Sequence, residues 1–213
     1  MCGIVGYAGG KEAAPVLIKG LKRLEYRGYD SAGIAVLGRA GLEIRKSKGA
    51  LKRLEERIAG ELGEGALDGS MGIGHTRWAT HGEPSDTNSH PHTDVSGKIA
   101  VVHNGIIENH AKLKSRLIEH GVVFRSETDT EVIAHLINFY YEGDILQAVI
   151  GAMKRLEGSY ALGIICEGQG DRIIAVRKES PLVIGAGTGE NLIASDVPPL
   201  LEHTREVYYL GDR

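Results

Sequence analysis

With 213 residues, 42% of them hydrophobic, the chain is long enough to bury a substantial core, and its formal charge of −3 offers no electrostatic case for nucleic acid or an anionic membrane. Its two cysteines, Cys2 and Cys166, lie far apart, which excludes a disulfide framework and fits a reducing cytoplasm. No apolar run reaches the roughly eighteen residues of a membrane-spanning helix, and the N-terminus has no basic region followed by an apolar one, so neither a membrane span nor a signal peptide is expected.

Residues 3–8 read as a short buried strand. Pro15 then sits where a helix can begin, with Val16, Leu17, Leu21 and Leu24 at helical spacing. Segments 31–37 and 42–48 read as a strand pair turned about 38–41; 50–62 returns to helix and 71–78 to strand. The polar stretch 80–97 is of a length that marks a functional or disordered loop. Residues 99–103 predict a strand that breaks at Asn104-Gly105, the commonest tight-hairpin dipeptide. Helices are expected at 109–119, 129–141 and 144–156, the middle one carrying Val132, Ile133, Leu136, Ile137 and Tyr140 on one side. Strands return at 159–166, 172–178, 182–186, 191–194 and 206–210. Strands joined by short turns, with helices in blocks, predict antiparallel sheets in one α+β domain.

The chemistry begins at Cys2. Removal of Met1 would leave a thiol and a free α-amine on one residue, a nucleophile beside its own general base. An α-amine titrates near 7.7–8.0, so roughly a tenth is neutral at pH 7, against well under a thousandth of a lysine. On position alone, an incidental small residue that permits Met1 removal explains Cys2 at least as well.

The densest motif is Gly74-His75-Thr76-Arg77-Trp78-Ala79-Thr80-His81-Gly82. Arg77 offers the planar fork that recognises a carboxylate, although a lone arginine reads equally as a surface ion pair. Trp78, the only tryptophan, reads first as a core filler and second as a ligand wall. His75, His81, His90 and His92 lack the Cys or Glu that would complete a recognisable ligand spacing, so neither a metal nor a cofactor is expected. Asn104 and Gly105 read as a turn. The same turn could aim the Asn104 amide and the Gly105 N–H at one oxyanion.

In Ser126-Glu127-Thr128-Asp129-Thr130-Glu131 a helix start is expected, with Ser126 or Thr128 as N-cap and Glu131 completing a capping box. That cap does not need Asp129, which is left to meet a ligand ammonium; with Arg77 it would grip both charged ends of a free amino acid. The glycine-rich 185–189 lies between two strand-like runs and reads as a hairpin turn rather than a phosphate cradle. Cys166 reads as an inert buried thiol. No Gly-x-Ser-x-Gly elbow is present, which weakens a serine-hydrolase reading.

Together these pieces resemble the glutaminase domain of the glucosamine-6-phosphate synthase family, the glutamine:fructose-6-phosphate amidotransferases. The resemblance rests on CGIVGY from Cys2, LEYRGYDSAGIAV from Leu24, GHTRWATHGEP from Gly74, NSHPH from Asn88 and VVHNGIIEN from Val101. SETDTEVIAH from Ser126, SPLVIG from Ser180 and ASD from Ala194 extend it over nearly the whole chain. It implies the N-terminal-nucleophile hydrolase fold, a four-layer αββα arrangement with two stacked antiparallel sheets.

It further implies that Cys2 attacks the side-chain amide of L-glutamine, its amine handling the proton, while Asn104 and Gly105 form the oxyanion hole. Arg77 would bind the substrate α-carboxylate and Asp129 its α-ammonium; Trp78, Thr80 and His81 would belong to a loop closing over glutamine. The roles of Arg27 and His90 stay open, with His90 read as a contact to a partner domain. The resemblance places one class II amidotransferase domain over 1–213, a sugar-phosphate isomerase half after it, and a homodimer when full-length. A non-catalytic amino-acid-binding domain and a sibling amidotransferase feeding another acceptor are the alternatives.

Overall fold

Alternation along the strands sets the architecture. The computed structural model describes residues 2–60, 67–79, 82–170 and 172–212. The larger sheet contains β1 (Gly3–Ala8), β2 (Ser31–Gly38), β3 (Gly41–Lys48), β4 (Met71–Arg77), β9 (Val183–Ala186), β10 (Asn191–Ala194) and β11 (Val207–Tyr209). Its order is β11-β9-β10-β1-β4-β2-β3. The smaller sheet runs β5 (His92–Thr93), β6 (Ile99–Ile107), β7 (Gly158–Cys166), β8 (Ile174–Lys178). Neighbouring strands in both sheets pair antiparallel.

Odd-numbered residues of β1, Val5 and Tyr7, pack with Leu17 and Leu21 of α1 (Ala13–Lys22) and Leu51 and Leu54 of α2 (Leu51–Gly60). In β6 it is Ile99 and Val101 that face helices, meeting Leu113 of α3 (His110–Glu119), Val132 and Leu136 of α4 (Thr130–Phe139) and Val149 of α5 (Ile145–Met153). The opposite faces, with Ile4, Ala35, Ile73, Ala100, Val102, Ala161 and Ile165, pack against each other. Helix, sheet, sheet and helix therefore stack as four layers, the expected N-terminal-nucleophile arrangement. Full burial of each Leu or Ile in these clusters stabilises by about 1.5–3 kcal/mol. Every residue of α4 from Thr130 to Ile137 is buried, so this helix is enclosed well beyond the single apolar side its spacing predicts.

Two local expectations fail. β6 does not turn at Asn104-Gly105: it continues to Ile107, pairing Asn104 with Ala161 and Gly105 with Tyr160. Pairing along the whole of β7 outweighs the hairpin preference of the dipeptide, and Gly105 meets it at φ +126. Second, neither Ser126 nor Thr128 caps α4; Asp129 occupies the N-cap position without a capping side-chain bond. The 80–97 stretch includes the short β5. The helix expected over 144–156 stops at Met153, and 61–62, the end of that expected over 50–62, fall outside the described residues. Residues 185–189 do turn between β9 and β10, and Cys166 is buried as a free thiol. Among the described residues no helix is long and apolar enough to cross a membrane.

Candidate active site

The same alternation gathers the chemistry. Ile4 faces the space between the sheets, so Cys2, two residues before it, has the same parity. On β4, Met71 and Ile73 face that space and His75 and Arg77 follow in step, while a Cβ at Gly72 or Gly74 would meet Leu17 or Leu21 of α1 at 2.9 or 3.0 Å. On β6, Ala100 and Val102 lead to Asn104 on the inter-sheet face, and His103 turns toward α4. A cavity of ≈ 430 Å³ opens where these meet, lined among others by Cys2, Arg77, Trp78, Asn104, Gly105 and Asp129. Another, of ≈ 460 Å³, lies between β3 and α4 against Lys46, Arg57, His92 and Glu131 and contains neither cysteine.

Cys2 Sγ accepts the Trp78 N–H at 3.3 Å. Burial pushes the thiol up from its ordinary value, so at neutral pH the group is protonated and needs a base to become nucleophilic. The Cys2 carbonyl accepts from Asn104 Nδ2 at 3.0 Å and from Arg27 Nε at 3.3 Å. Arg27, itself buried, ion-pairs with Asp196 at 3.1 Å, and Asp196 also accepts the Tyr26 hydroxyl at 2.6 Å. Asp30 accepts the Ala79 N–H and donates its own N–H to the Arg77 carbonyl at 3.1 Å, fixing the chain on both sides of Trp78. Trp78 is half exposed at the cavity, edge-on to Tyr29 with ring centroids 5.3 Å apart. It is a wall, not the core filler its composition first suggests.

At Gly105 an added Cβ would lie 2.1 Å from the Ser159 carbonyl oxygen, so only glycine fits this crossing of the two strands. Asp129 Oδ2 accepts the Ile107 N–H at 2.9 Å, and Oδ1 lies 4.0 Å from His103 Nδ1. Burial lowers His103, keeping it neutral. Arg77 is buried and donates from Nη2 to the Gly82 carbonyl at 3.0 Å. One cavity therefore meets a guanidinium from the larger sheet and a carboxylate from the helix layer. Thr80 and His81, the two other expected substrate contacts, lie outside the described residues.

Glu131 has work different from a capping box. It accepts from the N–H groups of Arg125 and Ser126 at 2.8 and 2.6 Å, from Ser126 Oγ at 2.7 Å, and pairs with His135 Nε2 at 3.3 Å. Burial opposes its ionisation, but those hydrogen bonds prevail and hold the carboxyl at about 2. His90, expected to face a partner domain, is instead buried inside this one, stacked 4.1 Å from His75 and lining the cavity. Among the described residues no group of three or more His, Cys, Asp or Glu is placed to hold a metal ion. Sequence reasoning missed the supports Asp30, Asp196 and His75, and left Arg27 without a role. Only the YRGYD and ASD wordings hinted at the first two and at Arg27, without saying that Arg27 and Asp196 meet.

A family model described as "Glutamine amidotransferase domain" matches residues 75–202. The glutamine–fructose-6-phosphate aminotransferase [isomerizing] of Caldanaerobacter subterraneus subsp. tengcongensis is 59% identical over 212 residues. Those of Clostridium tetani and Thermus thermophilus are 57% and 54% identical. Each alignment covers 100% of this chain and 34% of the relative, so the chain spans about a third of the proteins it matches. Among solved structures, the glutamine phosphoribosylpyrophosphate amidotransferase of B. subtilis in complex with ADP and GMP superposes with a TM-score of 0.81 at 28% identity. The allosteric regulatory enzyme of purine biosynthesis does so at 0.82 and 29%; both alignments cover 98% of this chain and 44% of the other. With more than half its length matched by the family model and the cavity built around an N-terminal cysteine, the chain belongs to the glutamine amidotransferase domain family.

Proposed function

We propose that this domain, once Met1 is removed, hydrolyses the side-chain amide of L-glutamine to L-glutamate and ammonia through a thioester on Cys2. The observation that carries the reading is the sharing of one cavity by the Cys2 thiol, the Asn104 amide, the Arg77 guanidinium and the Asp129 carboxylate. The Cys2 thiol gives its proton to the freed α-amine, through a water, as sulfur bonds to the carboxamide carbon. Asn104 Nδ2–H and the Gly105 N–H stabilise the resulting oxyanion, a donor of this kind being worth about 3–4 kcal/mol. Return of the proton to the amide nitrogen expels ammonia and leaves a γ-glutamyl thioester; water then attacks that thioester, releasing glutamate and restoring the thiol. Arg77 takes the substrate α-carboxylate, Asp129 the α-ammonium, and Trp78, with Thr80 and His81, closes over the bound amino acid.

The relatives support a destination for the ammonia. Their names pair glutamine with fructose 6-phosphate and with an isomerising step, and about two-thirds of their length lies outside this alignment. In this reading residues 1–213 are the glutaminase domain, and a following sugar-phosphate isomerase domain turns fructose 6-phosphate and the ammonia into glucosamine 6-phosphate. The full-length protein acts as a cytoplasmic homodimer. The test is glutamate release from glutamine by protein whose intact mass shows loss of Met1, compared with Cys2→Ala. Release should vanish in the variant; undiminished release would refute the mechanism. Glutamine binding without turnover by the processed wild type would make it a binding domain instead.

A further inference from the structure

His75 is fully buried on the inter-sheet face of β4, and its Nε2 lies 3.0 Å from both the His103 carbonyl and Asn104 Oδ1. Both neighbours are oxygens that only accept, so the imidazole proton sits on Nε2 and is shared between them. The Asn104 amide is thereby oriented, with Oδ1 taking the His75 proton and Nδ2 pointing to the Cys2 carbonyl at 3.0 Å. An amide turned over would present Oδ1 to the Cys2 carbonyl and to a developing oxyanion, replacing attraction by repulsion where a donor is required.

The His75 ring has its own support. His90 stacks on it with centroids 4.1 Å apart and planes 20° from parallel. His90 Nδ1 accepts the His103 N–H at 3.3 Å, which leaves its Nε2–H to donate to Thr130 Oγ1 at 3.3 Å. The Thr130 hydroxyl can then give its own proton to His103 Nδ1 at 2.9 Å. Burial lowers His75 to about 3 and His90 well below its ordinary value, so both rings stay neutral and the proton arrangement does not change across the working pH range. Arg77 also faces this stack, and its positive charge pushes the same way.

We propose that His75 is a positioning residue for the glutamine amide reaction: its Nε2–H fixes which way the Asn104 amide faces, and so keeps a donor rather than an acceptor aimed at the oxyanion. The inference rests on the reading of Asn104 as an oxyanion donor. It concerns neither substrate affinity nor the base, so its signature is a loss in kcat with KM retained.

The test compares three substitutions in protein with Met1 removed. Glutamine at position 75 reaches with its amide N–H to about where Nε2 stands; asparagine is too short, and methionine carries no donor. His75→Met and His75→Asn should lower kcat by about 10²–10³-fold, the range for loss of one oxyanion donor, with KM for glutamine within a few-fold of wild type. His75→Gln should recover most of that loss. A glutamine analogue bearing a side-chain aldehyde forms a hemithioacetal with Cys2 whose oxygen imitates the oxyanion. Its affinity should fall in parallel with kcat, while glutamine binding in a Cys2→Ala background stays unchanged.

Equal activities of the Gln and Asn variants, or an aldehyde affinity that does not track kcat, would overturn the proposal. So would a rise in KM with kcat intact. Should the variants not fold, nitrogen-15 NMR of the wild-type protein decides: a His75 imidazole protonated at Nε2 and not titrating from pH 5 to 9 is expected, and an Nδ1–H tautomer refutes it. Wild-type protein that hydrolyses no glutamine would fail the functional reading itself, a result distinguishable from any of these.

Discussion

Replacing Gly105 with alanine tests the oxyanion geometry and the strand crossing together. The residue holds φ +126, and the added methyl would lie 2.1 Å from the Ser159 carbonyl oxygen, 2.8 Å from its carbon and 3.0 Å from Tyr160 Cα. All three atoms are backbone of β7, so no side chain can swing aside; β6 and β7 must part locally by about 1 Å to restore an ordinary contact. The unfavourable backbone conformation costs about 1–3 kcal/mol and the overpacking about as much again. Together they remove on the order of 2–6 kcal/mol from a domain of typically 5–15.

Gly143→Ala is the matched control: its φ is +100, but nothing lies within 4 Å of the added methyl. It should show the backbone cost alone, on the order of 1 kcal/mol. A displacement of about 1 Å at an oxyanion donor should lower kcat by about 10²–10³-fold. Urea denaturation of both variants, with steady-state glutamate release, measures these effects. A Gly105→Ala protein with wild-type kcat, or one no less stable than Gly143→Ala, would refute both the role of Gly105 and the account of why β6 needs glycine there.

Two further outcomes follow from the carboxylates. Asp129→Asn keeps an oxygen for the Ile107 N–H but removes the charge proposed to meet the substrate ammonium, so KM for glutamine should rise about 10–100-fold, from a charge-assisted bond worth about 1.5–3 kcal/mol, with kcat little changed. An unchanged KM in steady-state assays would place the ammonium elsewhere. Glu131, held at about 2 against an ordinary 4.5, stabilises the folded state fully above about pH 4.5, and that contribution is lost as the pH falls toward 2. Glu131→Gln should therefore cost on the order of 3 kcal/mol at neutral pH and flatten the acid limb of stability measured by denaturation; wild-type and variant curves that stay parallel from pH 6 to 3 would contradict this.

Much of the fold was legible in local pattern. Strand alternation and helical spacing located the major elements, because period-2 and period-3.6 burial are written into neighbouring residues. Where a local preference met a longer-range one, the latter prevailed. Asn104-Gly105 reads as a turn, but β7 offers partners along the whole of β6, and the pairing carries the strand through the dipeptide. Glu131 reads as half of a capping box, but the N–H groups of Arg125 and Ser126 take its carboxylate, leaving Asp129 at the helix start and directed to the cavity.

The sequence by itself determined the chemical types and their strand parity: a cysteine beside the N-terminus, an arginine ending one strand, an amide and glycine on another, an aspartate before a helix. Tertiary structure alone decided that these converge, that Arg27 joins Cys2 to Asp196, and that His75 of one sheet meets Asn104 of the other. The reason is physical. Parity says which face of a sheet a side chain takes, but only the packing of two sheets decides which faces meet, and that packing is set by all the buried residues between them.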